Sequence, residues 1–394
     1  MNAREHSLED LLISKRHIAG LAIVATVAIA LTGCAGNASA STTSTISKAK
    51  ASAATSAAAF GGMKGLVAAA NAEGQLNVIT LPPSWANYGK IIALFEKTYP
   101  KIKINSANPN GSSANEVSAA EAQKGQSTAP DVFDIGTAVL DANLDLVAPY
   151  KVSNWADIPT DFKDASGKWY YDYTGLMSIG YDSSKVTKAP KTYKDLLGSA
   201  YAGKVSLKGD PTQANEAASA VYLAALQNGG TADNIQPGLD FFSKLKKAGN
   251  FNNVLPTQAT VNSGETPVVL QWSYNNLAWG PEAGSAGNSN WKVVIPSGSA
   301  ALGSYYNQAI NADAPDPAAA RLWEEFIYTP AVQNLYLASG AYPATLAAME
   351  KNKTVDAGVL SSVGAPPSNF VQLTADQATA AATLLGSKWK AAIQ

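Results

Sequence analysis

The chain has 394 residues with 29 basic and 30 acidic side chains, a formal net charge of −1 that argues against a nucleic-acid partner. Its only histidines are His6 and His17, so Ser-His-Asp or Cys-His nucleophile activation, His-ligated zinc and imidazole acid–base catalysis lack their side chain beyond residue 17. Cys34 is the one cysteine and Arg321 the one arginine after Arg16, which excludes an internal disulfide and allows a guanidinium clamp in one place at most.

Lys15, Arg16 and His17 precede an uncharged run from Ile18 to Leu31, shorter than the roughly 20 residues of a membrane span. The run ends in Leu31-Thr32-Gly33-Cys34, which resembles the lipobox of bacterial lipoproteins. That resemblance implies a signal peptide over 1–33, lipidation of Cys34, and an extracytoplasmic protein held to the cell membrane by its lipid. Residues 35–59 are almost entirely small and polar, and a flexible tether is expected over 34–73.

From Gly74 the pattern changes. Gln75 to Leu81 reads as a strand, Pro82-Pro83-Ser84 breaks it, and Tyr88, Ile91, Ile92 and Phe95 fall at helical spacing. Lys101 to Asn105 then alternates as a strand. Further strands are predicted over 131–135, 176–181, 204–207 and 267–270, and helices over 215–226, 238–248 and 317–327. This order predicts an α/β protein, and its length is better divided between two cores than given to one.

The order of several short pieces resembles the extracellular solute-binding proteins that serve iron, polyamine, thiamine and aminoethylphosphonate importers. The pieces are Leu76-Asn77-Val78, Phe95 to Ile104, Ala129-Pro130-Asp131-Val132-Phe133-Asp134, Gly180-Tyr181-Asp182, Tyr201 to Val205, Thr266 to Leu270, Asp316 to Ala320 and Ser339 to Pro343. The resemblance implies a two-lobed periplasmic-binding-protein-like fold of type II, each lobe an open mixed sheet flanked by helices, with the ligand in the cleft between them. The lobes are expected to comprise 74–176 with 300–345, and 177–299 with 346–394, with crossings near Thr174 to Ser178 and Gly298 to Gly303. It also implies a small-molecule solute, ABC permease subunits as partners, a monomer, and no enzymatic activity. No cofactor and no metal site are expected.

Ligands of open α/β sheets sit beyond the carboxyl ends of strands and at helix N-termini. This rule selects Ser84, Trp85 and Tyr88 after the first strand, then Asn110, Ser112 and Ser113, then Gly136 and Thr137. From the second half come Asp210, Asn215 and Glu216, the cluster Trp272-Ser273-Tyr274-Asn275, and Tyr305 with Tyr306. Several have plain structural readings beside the functional one. Tyr88 fits the core stripe of its helix, Ser112 and Ser113 could be caps, and Asp210 before Pro211 reads first as a cap. Arg321 is expected on the surface or paired with Glu324 or Glu325.

Abundant rings, amides and hydroxyls favour a small organic cation such as a polyamine, held between aromatic faces with Glu216 or Asp210 as counter-ion. A phosphonate or other small anion held by helix N-termini with Ser84, Ser112, Ser113 and Thr137 is the alternative. Thiamine and ferric ion rank lower; for iron, the resemblance to ferric-ion binders implies a tyrosinate pair near Tyr274 and Asn275, where the second phenol is missing. A surface hydrolase is a third class, and no two acidic residues stand out as its matched pair.

Overall fold

The computed structural model describes residues 46–394, and of residues 282–284 the backbone only. The expected leader 1–33 and Cys34 lie outside the described residues. The first elements are helices α1 (Lys48–Ser52) and α2 (Met63–Glu73), followed by β1 (Gln75–Ile79), α3 (Tyr88–Thr98), β2 (Lys103–Ala107), α4 (Ser113–Ala122), β3 (Val132–Gly136), α5 (Thr137–Asp141) and β4 (Val147–Ala148). The middle of the chain supplies β5 (Tyr170–Asp182), β6 (Val205–Leu207), α6 (Asn215–Gln227), α7 (Gln236–Lys247), α8 (Gln258–Ser263), β7 (Val268–Trp272), α9 (Ser273–Ala278) and β8 (Trp291–Val294). Last come β9 (Ala301–Asn311), α10 (Pro317–Ile327), α11 (Pro330–Ala338), β10 (Tyr342–Pro343), α12 (Leu346–Lys351), α13 (Ala357–Val363), β11 (Phe370–Val371) and α14 (Ala375–Ala392).

β1 and β2 form a parallel pair, and the other nine strands form one mixed sheet. β5 is its axis. Residues 170–176 run antiparallel to β9, and from Met177 onward the same strand pairs antiparallel with β7 on one side and β8 on the other. The change of partner between Leu176 and Met177 falls inside the segment read as a crossing. β3 and β4 pair antiparallel with β9, and β6 runs parallel to β7. Every residue of β5 is buried, as expected of a strand covered on both faces.

Most of the predicted elements have the predicted type. The second strand starts two residues late, at Lys103, because Ile102 donates its amide to the Tyr99 carbonyl and plugs the end of α3 in the core. β5 begins six residues early, its Tyr-rich start running on from the predicted segment. Residues 346–394, expected together with 177–299, divide: α12 and α13 pack on α11, while α14 lies against both α5 and α7.

The tether ends earlier than expected. Residues 46–73 are ordered helix and turn, with Ala51, Leu66, Ala69 and Ala70 buried. Small side chains let α2 approach α10 closely, and polar bonds fix the approach. Glu73 accepts from the amides of Ala318 and Ala319 at 3.0 and 2.7 Å, satisfying two of the free donors that open α10. Arg321 is not on the surface and is not paired with Glu324 or Glu325. Its guanidinium is buried over the Tyr150 ring and donates to the carbonyls of Ala54, Pro317 and Ser52 at 2.7, 2.9 and 2.5 Å. The one late arginine thus closes the end of α1 rather than clamping an anion.

Candidate functional site

A cleft of about 240 Å³ lies between the loop 109–112 with α4 on one side and the segment 208–216 on the other. The volume is slightly below the ~300–1,000 Å³ typical of drug-sized ligands, so the cleft suits a small solute. The chain dictates its walls locally. Pro82-Pro83 ends the first strand region, and Ala86 and Asn87 take positive φ of 44° and 65°, turning Trp85 toward the cleft before α3 starts. Asn108 at φ 38° makes a second tight turn and delivers Asn110, Ser112 and Ser113. A Cβ on Gly136 would stand 2.9 Å from that of Asn215, so glycine is what lets the start of α6 close on the end of β3.

Of the residues selected from the sequence, Trp85, Asn110, Ser112, Ser113, Asp210, Asn215, Glu216 and Tyr306 line this cleft. Ser112 is the N-cap of α4, its amide donating to Asn115, while Ser113 opens the helix and accepts the Gly136 amide at 3.0 Å, so both have structural bonds as well as lining the cleft. Asp210 does not cap α6, which starts five residues later; it accepts the Thr212 amide and hydroxyl, each at 2.8 Å, and organises the turn before the helix.

The others lie outside the cleft lining. Ser84 is exposed in the turn before Trp85. Tyr88 is fully buried, with its hydroxyl among Asp172, Gln308 and Tyr336. Thr137 accepts from Asn307, and Tyr305 stacks on Tyr171 at 5.2 Å. Trp272, Ser273, Tyr274 and Asn275 form a buried floor. That floor still matters, because the Trp272 amide and the Asn275 side chain donate to Glu216 Oε1 at 2.8 and 2.9 Å.

Sequence reasoning missed the two carboxyls that dominate the other wall. Glu116, in the first turn of α4, is 1 % exposed; its Oε1 accepts the Thr80 hydroxyl, and its buried Oε2 has no hydrogen-bond partner among the described residues. Asp134, in β3, accepts the Tyr173 hydroxyl at 3.0 Å on Oδ2, and its buried Oδ1 is likewise without a partner. A signal for Asp134 was present, since it is the one charged residue inside the strand Val132-Phe133-Asp134-Ile135. Burial pushes both carboxyls up from their ordinary range. Burial also raises Glu216 to about 7, against the opposing pull of the Trp272 amide, Asn275 and Lys208.

Lys208 is the basic residue of the lining, and its ammonium is already committed. It donates to the Pro256 carbonyl at 3.0 Å and lies 5.2 Å from the centre of the Trp279 ring. Trp85 meets Tyr274 and Tyr306 edge to face at 5.5 and 5.6 Å. The cleft therefore offers aromatic surface and three buried carboxyls on opposite walls. Leu255, 56 % exposed, stands at its rim.

The fold is shared with solved structures. Apo ferric ion-binding protein A from Pasteurella haemolytica is 19 % identical over 79 % of this chain and 97 % of its own, with a TM-score of 0.58. A periplasmic thiamin binding protein is 17 % identical over 81 % and 96 % of the two chains, with a TM-score of 0.61. The spermidine/putrescine ABC transporter substrate-binding protein PotD from Streptococcus pneumoniae is 15 % identical over 81 % and 99 %, with a TM-score of 0.52. These likenesses define the class, a periplasmic-binding-protein fold of type II. Residues 131–363, more than half of the chain, match the family described as bacterial extracellular solute-binding protein, and the chain belongs to that family. It is a family of binding proteins for transport rather than of enzymes. Comparison with curated proteins gives no sequence match. No helix among the described residues is long and apolar enough to cross a membrane.

Proposed function

We propose that this solute-binding protein captures a small organic cation, of the size and charge of a diamine or polyamine, in the cleft between Glu116 and Glu216, and hands it to the permease of an ABC importer. The observation that carries the reading is the pair of unpartnered buried oxygens, Glu116 Oε2 and Asp134 Oδ1, on residues that line the cleft. A buried carboxylate oxygen without a donor costs several kcal/mol, and an ammonium group would offset that cost on both residues. Trp85 and Tyr306 add faces for cation–π contact, worth about 0.5–2 kcal/mol each.

A phosphonate fits less well. The helix starts at Ser113 and Asn215 would favour an anion, but each already carries a glutamate within its first turn, Glu116 and Glu216, facing the same cleft. Ferric ion would need tyrosinates, and burial pushes the phenols of Tyr274 and Tyr306 upward, which keeps them neutral. In this proposal the lobes 74–176 with 300–345 and 177–299 close by bending at the change of partner along β5, and lipid on Cys34 holds the protein near its permease. The test is calorimetric titration of Glu116→Gln and Glu216→Gln with putrescine. Each should bind at least tenfold more weakly than the parent protein; unchanged affinity in both would remove the cation from the account.

A further inference from the structure

We infer that Tyr173 is the positioning residue of the cleft, its hydroxyl joining the Trp85 indole to the Asp134 carboxyl so that ring and charge are presented to the solute as one unit. The inference rests on the cation reading given above. Tyr173 lies in β5, is fully buried and is not part of the cleft lining. Its hydroxyl accepts from Trp85 Nε1 and donates to Asp134 Oδ2 at 3.0 Å. A phenol has one proton to donate, and here it goes to the carboxyl.

The tyrosine ring is itself locked. It stacks on Tyr336 at 4.5 Å and on Tyr306 at 6.0 Å, and meets the edge of Tyr274 at 5.6 Å. Trp85 needs such a tether, because it sits in a loop with positive φ at the next two residues rather than in a helix or strand. Asp134 needs it for a different reason. By taking Oδ2, the hydroxyl fixes the carboxyl plane and leaves Oδ1 without a partner among the described residues.

The groups around Asp134 make this hydrogen bond consequential. Three further carboxyls lie within its electrostatic reach, Glu116 of α4, Asp172 of β5 and Glu324 of α10, and the charge of Asp134 disfavours the ionisation of each. The phenols of Tyr88 in α3, Tyr274 in α9, Tyr306 in β9 and Tyr336 in α11 complete the surroundings. Burial raises Asp134, and the Tyr173 hydroxyl is the leading influence in the other direction.

The test uses the full-length protein and Tyr173→Phe, with Tyr193→Phe as a control that removes a buried hydroxyl from the unrelated contact with Phe241. Two readouts are taken. In the ligand-free protein, hydrogen exchange of the Trp85 indole proton is followed by NMR, the signal being assigned with Trp85→Phe. With putrescine, affinity is measured across pH. In Tyr173→Phe the indole proton should exchange at least tenfold faster, and the pH at which putrescine binding is lost on acidification should move up by about one unit. Tyr193→Phe should leave both as in the parent. Unchanged indole exchange in Tyr173→Phe overturns the inference, as does an unchanged pH midpoint where putrescine binds. If putrescine fails to bind the parent protein at any pH, the cation reading falls by itself, and the exchange rate still decides whether Tyr173 positions Trp85.

Discussion

Arg321 donates from Nε to the Ala54 carbonyl at 2.7 Å, tying α10 to a segment 267 residues earlier in the chain. The bond changes what the N-terminal region is. Residues 46–73 form an integral layer, stapled by Arg321 at one end of α10's first turns and by Glu73 at its start. Replacing Arg321 by Met removes three donors from buried carbonyls and should destabilise the protein by about 2–4 kcal/mol. Urea denaturation measures this, and a midpoint equal to the parent's would contradict the staple.

The cleft carboxyls give stability and binding opposite pH dependences. Glu216 is held at about 7, above its unfolded value of 4.5, and Glu116 and Asp134 are also raised. The folded protein therefore binds more protons than the unfolded chain between these values, and its stability falls as pH rises through that window, by up to about 1.4 kcal/mol per pH unit for each carboxyl. A cationic ligand needs the ionised forms. Acidification from pH 7.5 to 5 (about the window's width) should thus raise the melting temperature of the ligand-free protein while weakening putrescine binding. Thermal scans with and without ligand across pH check both signs; parallel trends would contradict the assignment.

Gly175 permits a close packing that supports the aromatic floor. A Cβ at this position would stand 2.5 Å from Tyr274 Cε1, and the Tyr274 ring in turn meets Trp85. Gly175→Ala should cost about 1–3 kcal/mol by overpacking and should weaken ligand binding as Trp85 is displaced. Denaturation and calorimetry on the same variant measure the two effects. A fully stable variant would show that the strand gives way more easily than its burial implies.

Leu255 separates binding from folding. At 56 % exposed it contributes little to the core, so Leu255→Ala should change stability by no more than about 0.5 kcal/mol. It lines the cleft together with Pro82 and Pro109, so the proposed closure would bury it. The same variant should therefore release solute several-fold faster in stopped-flow measurements. A large loss of stability with an unchanged release rate would reverse this reading.

The sequence made the scaffold legible because its strands and helices follow apolar periodicity. It showed the lining residues that sit just beyond strand ends, such as Trp85, Ser113 and Glu216. What it hid was direction. Tyr274 looks like a ligand aromatic by position, yet it points into a core whose rings pack on Tyr173, where Tyr88 packs as its helix stripe suggested. Glu116 was invisible for the converse reason, since a glutamate in the first turn of an Ala-rich helix reads as a solvated partner of the helix dipole. Only the Thr80 hydroxyl and the depth of the site show otherwise. The small, Ala-rich stretch before Gly74 was read as tether because its burial depends on a distant helix, which no local pattern reports.

The central claim is the charge of the solute. Calorimetric titration of the purified protein at pH 8 (about one unit above the held carboxyl) with putrescine, spermidine and 2-aminoethylphosphonate in separate cells tests it most directly. The account predicts heat and saturable binding with at least one polyamine, tighter than with the phosphonate. Saturable binding of the phosphonate with none for either polyamine would contradict it.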